Sequence, residues 1–174
     1  MSHLKRLTAP RTWQIIRKER KYIVRPLPGS HSRATSLPLQ FIIRDLLNYA
    51  STARQVRRLL QESKVMVDGK VRTETRSNVG IFDVLHITPT KEDYRILLDS
   101  KGRLVIKKIE PKESSLKICK VVGKKIITGG KTQLSLHDGR TMINDVKVNV
   151  GDSILLKLPE AKVEAAIALK KGAY

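Results

Sequence analysis

The sequence predicts an α+β protein: a basic N-terminal arm, a small helix-pair module closed by a hairpin, and a small all-β domain. Three observations carry this. Apolar residues recur with a helical period over 37–60 and then alternate around an Asp-Gly turn. The following half breaks into short β-forming runs punctuated by glycines. The 174 residues hold 35 Lys plus Arg against 16 Asp plus Glu, a formal net charge of +19. That charge in so short a chain points first to a polyanion partner.

The chain reads as three segments: 1–36, a basic extension; 37–90, a module of two helices and a hairpin; and 91–174, a β domain. They carry formal charges of +8, +3 and +8, so the first is the most densely charged. It holds Pro10, Pro26, Pro28 and Gly29 and too few apolar residues for a core of its own. It reads either as a solvated tail or as an arm that orders on a nucleic acid. Trp13 is then either an aromatic anchor on that nucleic acid or a staple that pins the arm to the folded body. The candidate RNA-binding residues of this segment are Lys5, Arg6, Arg11, Arg17, Lys18, Arg20, Lys21, Arg25 and Arg33.

Ser36 before Leu37-Pro38 reads as the N-cap of a helix reaching Ala50, with Pro in the first turn. Leu39, Ile42, Ile43, Leu46 and Leu47 form its buried stripe, and Arg44 is a candidate RNA contact. After a break at 48–51, Thr52 and Gln55 read as a capping box opening a second helix to about Ser63. Ala53, Val56, Leu59 and Leu60 would face its core. Arg54, Arg57 and Arg58 share an adjoining face at i, i+3 and i+4, with no acidic neighbour before Glu62. Such a stripe is either a solvated face or a row of phosphate contacts, and its position beside the basic arm favours the second.

Val65 and Val67 alternate before Asp68-Gly69, and Val71 and Thr73 resume the pattern. This is a two-residue hairpin signal, because both central residues need positive φ. Lys64 and Lys70 flank it as further candidate RNA contacts. A second β run covers 79–87. Over 91–160, Gly102, Gly129-Gly130, Asp138-Gly139 and Gly151-Asp152 separate short strands of a barrel or sandwich, with 134–143 a second two-residue hairpin. Lys107, Lys108, Lys117, Lys120, Lys124 and Lys125 would line its rim. The stretch 161–171 has helical composition but period-2 alternation through Val163, Ala165, Ile167 and Leu169.

The run RDLLNYASTARQVRRLL at 44–60, VMVDGKV at 65–71 and VGIFDVLHI at 79–87 resemble the S4-type RNA-binding module. The flanks narrow this. HLKRLTAP at 3–10, Trp13, RK at 17–18, RPLPGSH at 25–31, SLPL at 36–39, HDGR at 137–140 and VGDSILLKLP at 150–159 resemble the ribosomal protein S4e family over essentially the whole chain. Members are small-subunit ribosomal proteins of archaea and eukaryotes that contact ribosomal RNA, structural rather than catalytic. The resemblance implies a cytoplasmic constituent of the ribosome whose partners are small-subunit ribosomal RNA and neighbouring ribosomal proteins. It implies no cofactor, metal, membrane or small-molecule substrate. It also favours a strand for 161–171. Two departures stand out. The turn usually written Pro-Gly-Pro-His reads Pro28-Gly29-Ser30-His31. Members also continue past a stretch like LKKGAY into a KOW-type barrel, whereas this chain stops at Tyr174.

Other chemistries fit less well. TGGKT at 128–132 has Lys125 where a phosphate-cradling loop needs its first glycine. His3, His31, His86 and His137 lack metal-ligand spacing, and one cysteine, Cys119, excludes a disulfide scaffold or a cysteine-cluster zinc site. No apolar run approaches the ~20 residues of a membrane span. Enzymes that carry an S4-type module need a catalytic domain of roughly 200 residues, more than this chain has left after position 90. The alternative within the same binding chemistry is a free-standing assembly factor or RNA chaperone.

Overall fold

The computed structural model describes residues 3–143 and 148–169. The last part of the LKKGAY stretch, 170–174, lies outside the described residues. Leu4–Lys5 (β1) pairs antiparallel with Tyr22–Ile23 (β2), closing the N-terminal segment into a loop. The helix expected from Ser36 begins later. Ser36–Pro38 is a strand (β3), because Ser36 Oγ donates backward to the Ser32 carbonyl (2.7 Å) and Leu37 pairs with Val79. Pro38 then caps a single α-turn, Leu39–Phe41 (α1), which widens into π-helical backbone over Ile42–Leu46. The second helix, Ala53–Gln61 (α2), forms as its capping box requires.

Val65–Val67 (β4) and Lys70–Val71 (β5) make the expected hairpin, with Asp68 at φ 51° and Gly69 at φ 75°. The run 79–87 is not one strand. Phe82 turns to φ 66°, and the Asp83 carboxylate accepts the Gly80 amide at 2.8 Å. The chain splits there into Asn78–Gly80 (β6), which pairs with β3, and Val84–Ile87 (β7), which pairs with β4. Glu92–Leu98 (β8) and Leu104–Ile109 (β9) extend the same sheet, giving the order β5-β4-β7-β8-β9.

A short turn, Pro111–Ser114 (α3), leads into the second sheet. Its strands are Leu116–Ile126 (β10), Thr132–Leu136 (β11), Thr141–Ile143 (β12), Ser153–Lys157 (β13) and Lys162–Ile167 (β14), in the order β12-β11-β10-β13-β14. The last is the strand that the alternation and the resemblance favoured. Gly129 and Gly130, both at positive φ, lie in the turn between β10 and β11, a hairpin role for the TGGKT stretch. The turn at 137–139 holds three residues, not two. The Leu136 amide donates to the Arg140 carbonyl, and Gly139 alone takes positive φ.

Two cores result. The first gathers Trp13, Leu37, Ile42, Val56, Leu60, Leu85, Ile96 and Leu104, so its packing crosses positions 36 and 90. The second is built from Cys119, Val121, Leu134, Leu136, Val148, Ile154 and Leu156.

Candidate nucleic-acid interface

Helix α2 presents its arginines by a simple division of faces. Thr52 Oγ1 accepts the Gln55 amide (3.3 Å), and Gln55 Oε1 accepts the Thr52 amide (3.2 Å), so the first turn is closed at both ends. Val56 and Leu60 are fully buried, while Ala53, expected in the core, is exposed. Arg54, Arg57 and Arg58 are all exposed. Arg58 pairs with Glu62 at 2.8 Å, and Lys64 reaches the same carboxylate at 2.5 Å; together, Lys64 foremost, they hold the Glu62 carboxyl below its ordinary value. Arg54 and Arg57 make no ion pair among the described residues. Two guanidiniums on a packed helix thus stand exposed to solvent.

The N-terminal segment divides its cations between structure and surface. Arg6 is 3% exposed and donates to the Ile16 carbonyl (2.7 Å) and Glu19 (3.0 Å), with Asp45 at 3.8 Å. The Arg6 guanidinium is thus engaged within the N-terminal segment and with Asp45. Arg17 is half-buried and donates to the carbonyls of Arg6, Leu7, Ala9 and Pro10, holding the loop together. Arg44 pairs with the Asp45 carboxylate at 2.7 Å. Lys5, Arg11, Lys18, Arg20, Lys21 and Arg33 are exposed, as is Lys70 at the hairpin tip. Arg20 leans on Glu19 (3.5 Å), and Lys21 sits 5.4 Å from the Tyr22 ring centre. Arg25 is half-buried beside Arg76, whose Nε donates to the Arg25 carbonyl at 2.9 Å.

The arm itself is folded. Trp13 is 2% exposed, stacks on Phe41 (centroids 6.1 Å, planes 19° apart) and donates its indole N–H to the Arg33 carbonyl. The Leu104 amide donates to the Thr12 carbonyl at 2.8 Å. Of the two roles open to Trp13, the structure shows the staple. The tail reading fails for the same reason: Leu4, Ala9 and Ile23 complete the module's core instead of building a separate one.

Between the two sheets lies a charge cluster. Lys117, expected at a lysine-bearing rim, is 1% exposed, because its register in β10 turns it inward between the sheets. Its Nζ meets Asp83 at 2.5 Å, Asp68 at 2.6 Å and Asp138 at 3.0 Å. Arg140 braces Asp68 (2.7 Å) and Asp138 (3.2 Å), and His31 Nε2 faces Asp83 at 3.1 Å. Burial raises the Asp83 carboxyl, but His31 and Lys117 outweigh it and hold it well below the carboxylate range. Burial and the neighbouring Asp83 charge push Asp68 up despite Lys117. Burial also opposes ionisation of Asp138, yet Lys117 and Arg140 bring it down. Burial works against the Lys117 ammonium, and the surrounding carboxylates more than reverse that. Cys119 is buried alongside, its thiol pushed up to about 12 by burial and by Asp138, so it is an inert core residue.

The turns carry these carboxylates: Asp68 from β4–β5, Asp83 from β6–β7, Asp138 from β11–β12. The arrangement explains the histidines too. His31 packs so closely over Gly80 that a Cβ there would lie 2.2 Å from its ring. His86 pairs with Asp93 at 2.6 Å, and the His137 Nδ1 accepts the Lys120 amide. Arg76 and Arg140 carry no periodic signal, and only the tertiary fold reveals their positions. No group of three or more His, Cys, Asp or Glu able to hold a metal occurs among the described residues.

Comparison with known proteins identifies the family. The RS4NT (NUC023) domain matches residues 2–34, the S4 domain 38–85, and the ribosomal family S4e 90–163. The small ribosomal subunit protein eS4 of Methanocaldococcus jannaschii is 42% identical over 180 residues, covering 98% of this chain and 72% of that relative. The eS4 protein of Methanocella arvoryzae is 43% identical over 94% of this chain and 69% of its own length. The crystal structure of the 30S ribosomal protein S4e from Thermoplasma acidophilum superposes with a TM-score of 0.68 at 37% identity, covering 79% of this chain and 71% of that one. The S4e family model over 90–163, the S4 domain over 38–85 and 42–43% identity across 94–98% of the chain lead to one conclusion: the chain belongs to the ribosomal protein family S4e.

Proposed function

We propose that this protein is a structural, non-catalytic constituent of the small ribosomal subunit, working in the cytoplasm as part of the ribosome. Its relatives are named as small ribosomal subunit proteins, and its central segment carries the S4 domain. The three segments 1–36, 37–90 and 91–174 divide the work: a braced basic extension, an RNA-facing helix pair and a buttressing β domain. The observation that carries the reading is the exposed Arg54–Arg57 pair on α2, seated by a buried Val56–Leu60 face and unpaired among the described residues. Guanidiniums in that position fit backbone phosphates bidentately. Lys5, Arg11, Lys18, Arg20, Lys21, Arg33, Arg58, Lys64 and Lys70 add to the field around it. Recognition is of folded RNA shape, since the A-form major groove is too narrow for a helix. Neighbouring ribosomal proteins are the second class of partner.

The test is sedimentation of the native protein with small subunits through gradients of increasing salt. Stable comigration at high salt supports a resident constituent. Release at moderate salt with rebinding only to immature particles would instead favour an assembly factor. In parallel, the affinity for small-subunit RNA falls steeply with salt if ~5–8 phosphates are neutralised; a flat response refutes the electrostatic interface.

A further inference from the structure

The N-terminal segment and the module enclose a cavity of about 440 Å³ lined by Arg25, Arg33 and Arg76 around Pro26, Leu27 and Pro28. The volume falls in the ~300–1,000 Å³ range of small-ligand clefts. Its lining differs in charge from that of two other cavities. The cavity at Lys117 contains Asp68, Asp83 and Asp138, and the one beside α2 contains Glu62. No carboxylate lines this one among the described residues, and three arginines border a short apolar wall.

The walls are already tied in place. The Leu27 amide donates to the Arg76 carbonyl at 3.0 Å, and Arg76 Nε donates to the Arg25 carbonyl at 2.9 Å. Pro26 is buried, and the Asn78 side-chain Nδ2 donates to the His31 carbonyl at 3.4 Å. Two prolines two residues apart stiffen the same stretch further. Binding there costs little ordering of the protein. Arg33 is exposed, and its side chain makes no ion pair or hydrogen bond among the described residues.

We propose that this cavity takes a single unstacked nucleotide of the bound RNA, its phosphate against the Arg33 guanidinium and its base against the Pro-Leu-Pro wall. The proposal rests on the RNA-binding function and specifies one contact within it. Arginine supports both halves of such a ligand, because its plane stacks on a base and its edge donates to a phosphate. A base held in a duplex presents no free face, so the occupant comes from a bulge, loop or end. The cavity therefore reads a local irregularity in the RNA, while the α2 arginines read the continuous backbone.

The test uses the full chain, isotopically labelled, titrated with the four nucleoside 5′-monophosphates, inorganic phosphate and a hexaglutamate peptide while amide resonances are followed. The expected result is saturable shifts at Leu27, His31, Arg33 and Asn78 with a nucleotide at least about fivefold tighter than phosphate, the low end of what one stacked base contributes. Arg33→Gln lowers that affinity about tenfold with an unchanged melting temperature, and Arg33→Lys restores only part of it. Phosphate binding as tightly as every nucleotide overturns the proposal, because the apolar wall then contributes nothing. Hexaglutamate binding as tightly as the nucleotides also overturns it and makes the cavity a protein dock. If no probe shifts these amides while the same sample binds small-subunit RNA with a steep salt slope, the cavity assignment falls and the RNA-binding function stands. Failure of both measurements would remove the function itself.

Discussion

Replacing Lys117 by Met keeps the length of the side chain and deletes the charge that three buried carboxylates share. Removing one partner from a buried ion pair costs about 3–5 kcal/mol, because the other partner stays desolvated and uncompensated. Here Arg140 still reaches Asp68 and Asp138, and His31 still faces Asp83, so the lower end of that range applies. At roughly 2–4 °C per kcal/mol for a chain of this size, the melting temperature falls by about 6–12 °C at pH 7. The loss depends on pH with a defined sign. In the wild type, Asp83 and Asp138 titrate below their ordinary value. Their contribution is present above about pH 4 and disappears as pH falls through the depressed folded values. Asp68 titrates above its ordinary value and contributes in the opposite sense, fully below pH ~4 and lost as pH rises through its folded value. Without Lys117, burial raises all three, so the variant regains stability on acidification. The gap between variant and wild type is thus widest near pH 7 and narrows toward pH 4.5. Scanning calorimetry at both pH values measures it, with the exposed Lys120→Met as control, expected within about 0.5 kcal/mol of wild type. A shift below about 2 °C at pH 7, or the same shift at both pH values, would refute the reasoning.

Trp13→Ala should cost about 3–5 kcal/mol in a chemical melt, and deleting 3–33 should abolish the cooperative transition; an intact transition would show that Trp13 is not part of the core. The triple variant R54Q/R57Q/R58Q should stay within about 1 kcal/mol of wild-type stability, since Arg and Gln have similar helix propensity. It should nevertheless lose RNA affinity by a similar factor across RNAs of one fold; unchanged affinity would make the stripe a solvated face. Gly80→Ala places a Cβ 2.2 Å from the His31 ring, so it should displace His31 from Asp83 and lower the melting temperature. A crystal structure of that variant with His31 still on Asp83 would contradict this.

Local chemistry was the legible part of this fold. The Thr52–Gln55 box and the Asp68-Gly69 turn are decided within four residues, and both form as the sequence predicts. The long-range choices were not legible. Ser36 has the composition of an N-cap, but pairing of Leu37 with Val79 takes it into a strand. The run 79–87 looks continuous until the Asp83 carboxylate turns back onto the Gly80 amide. Counting charge does not say where a cation sits: Arg6, Arg17 and Lys117 belong to the formal +19, and each meets internal carbonyls or carboxylates. A lysine at a strand position reads as surface in any sequence pattern, because the acids that accept it lie in turns 34 and 49 residues upstream. The α2 stripe stood out for the opposite reason, since helical spacing alone separates it from Val56 and Leu60.

Those separations also order events in time. Asp68 and Asp83 leave the polymerising machinery well before Lys117, and Asp138 with Arg140 follow later still. Until then Asp68 has neither Lys117 nor Arg140 to close on, and of the cluster's partners only His31 is available to Asp83. Local pieces such as α2 and the β4–β5 hairpin can form early, whereas the junction must wait for contacts of high sequence separation, which assemble slowly. The Lys117 knot is accordingly a late latch. Weakening it should accelerate unfolding and leave the folding rate nearly untouched, so it sets how long the two sheets stay together once joined.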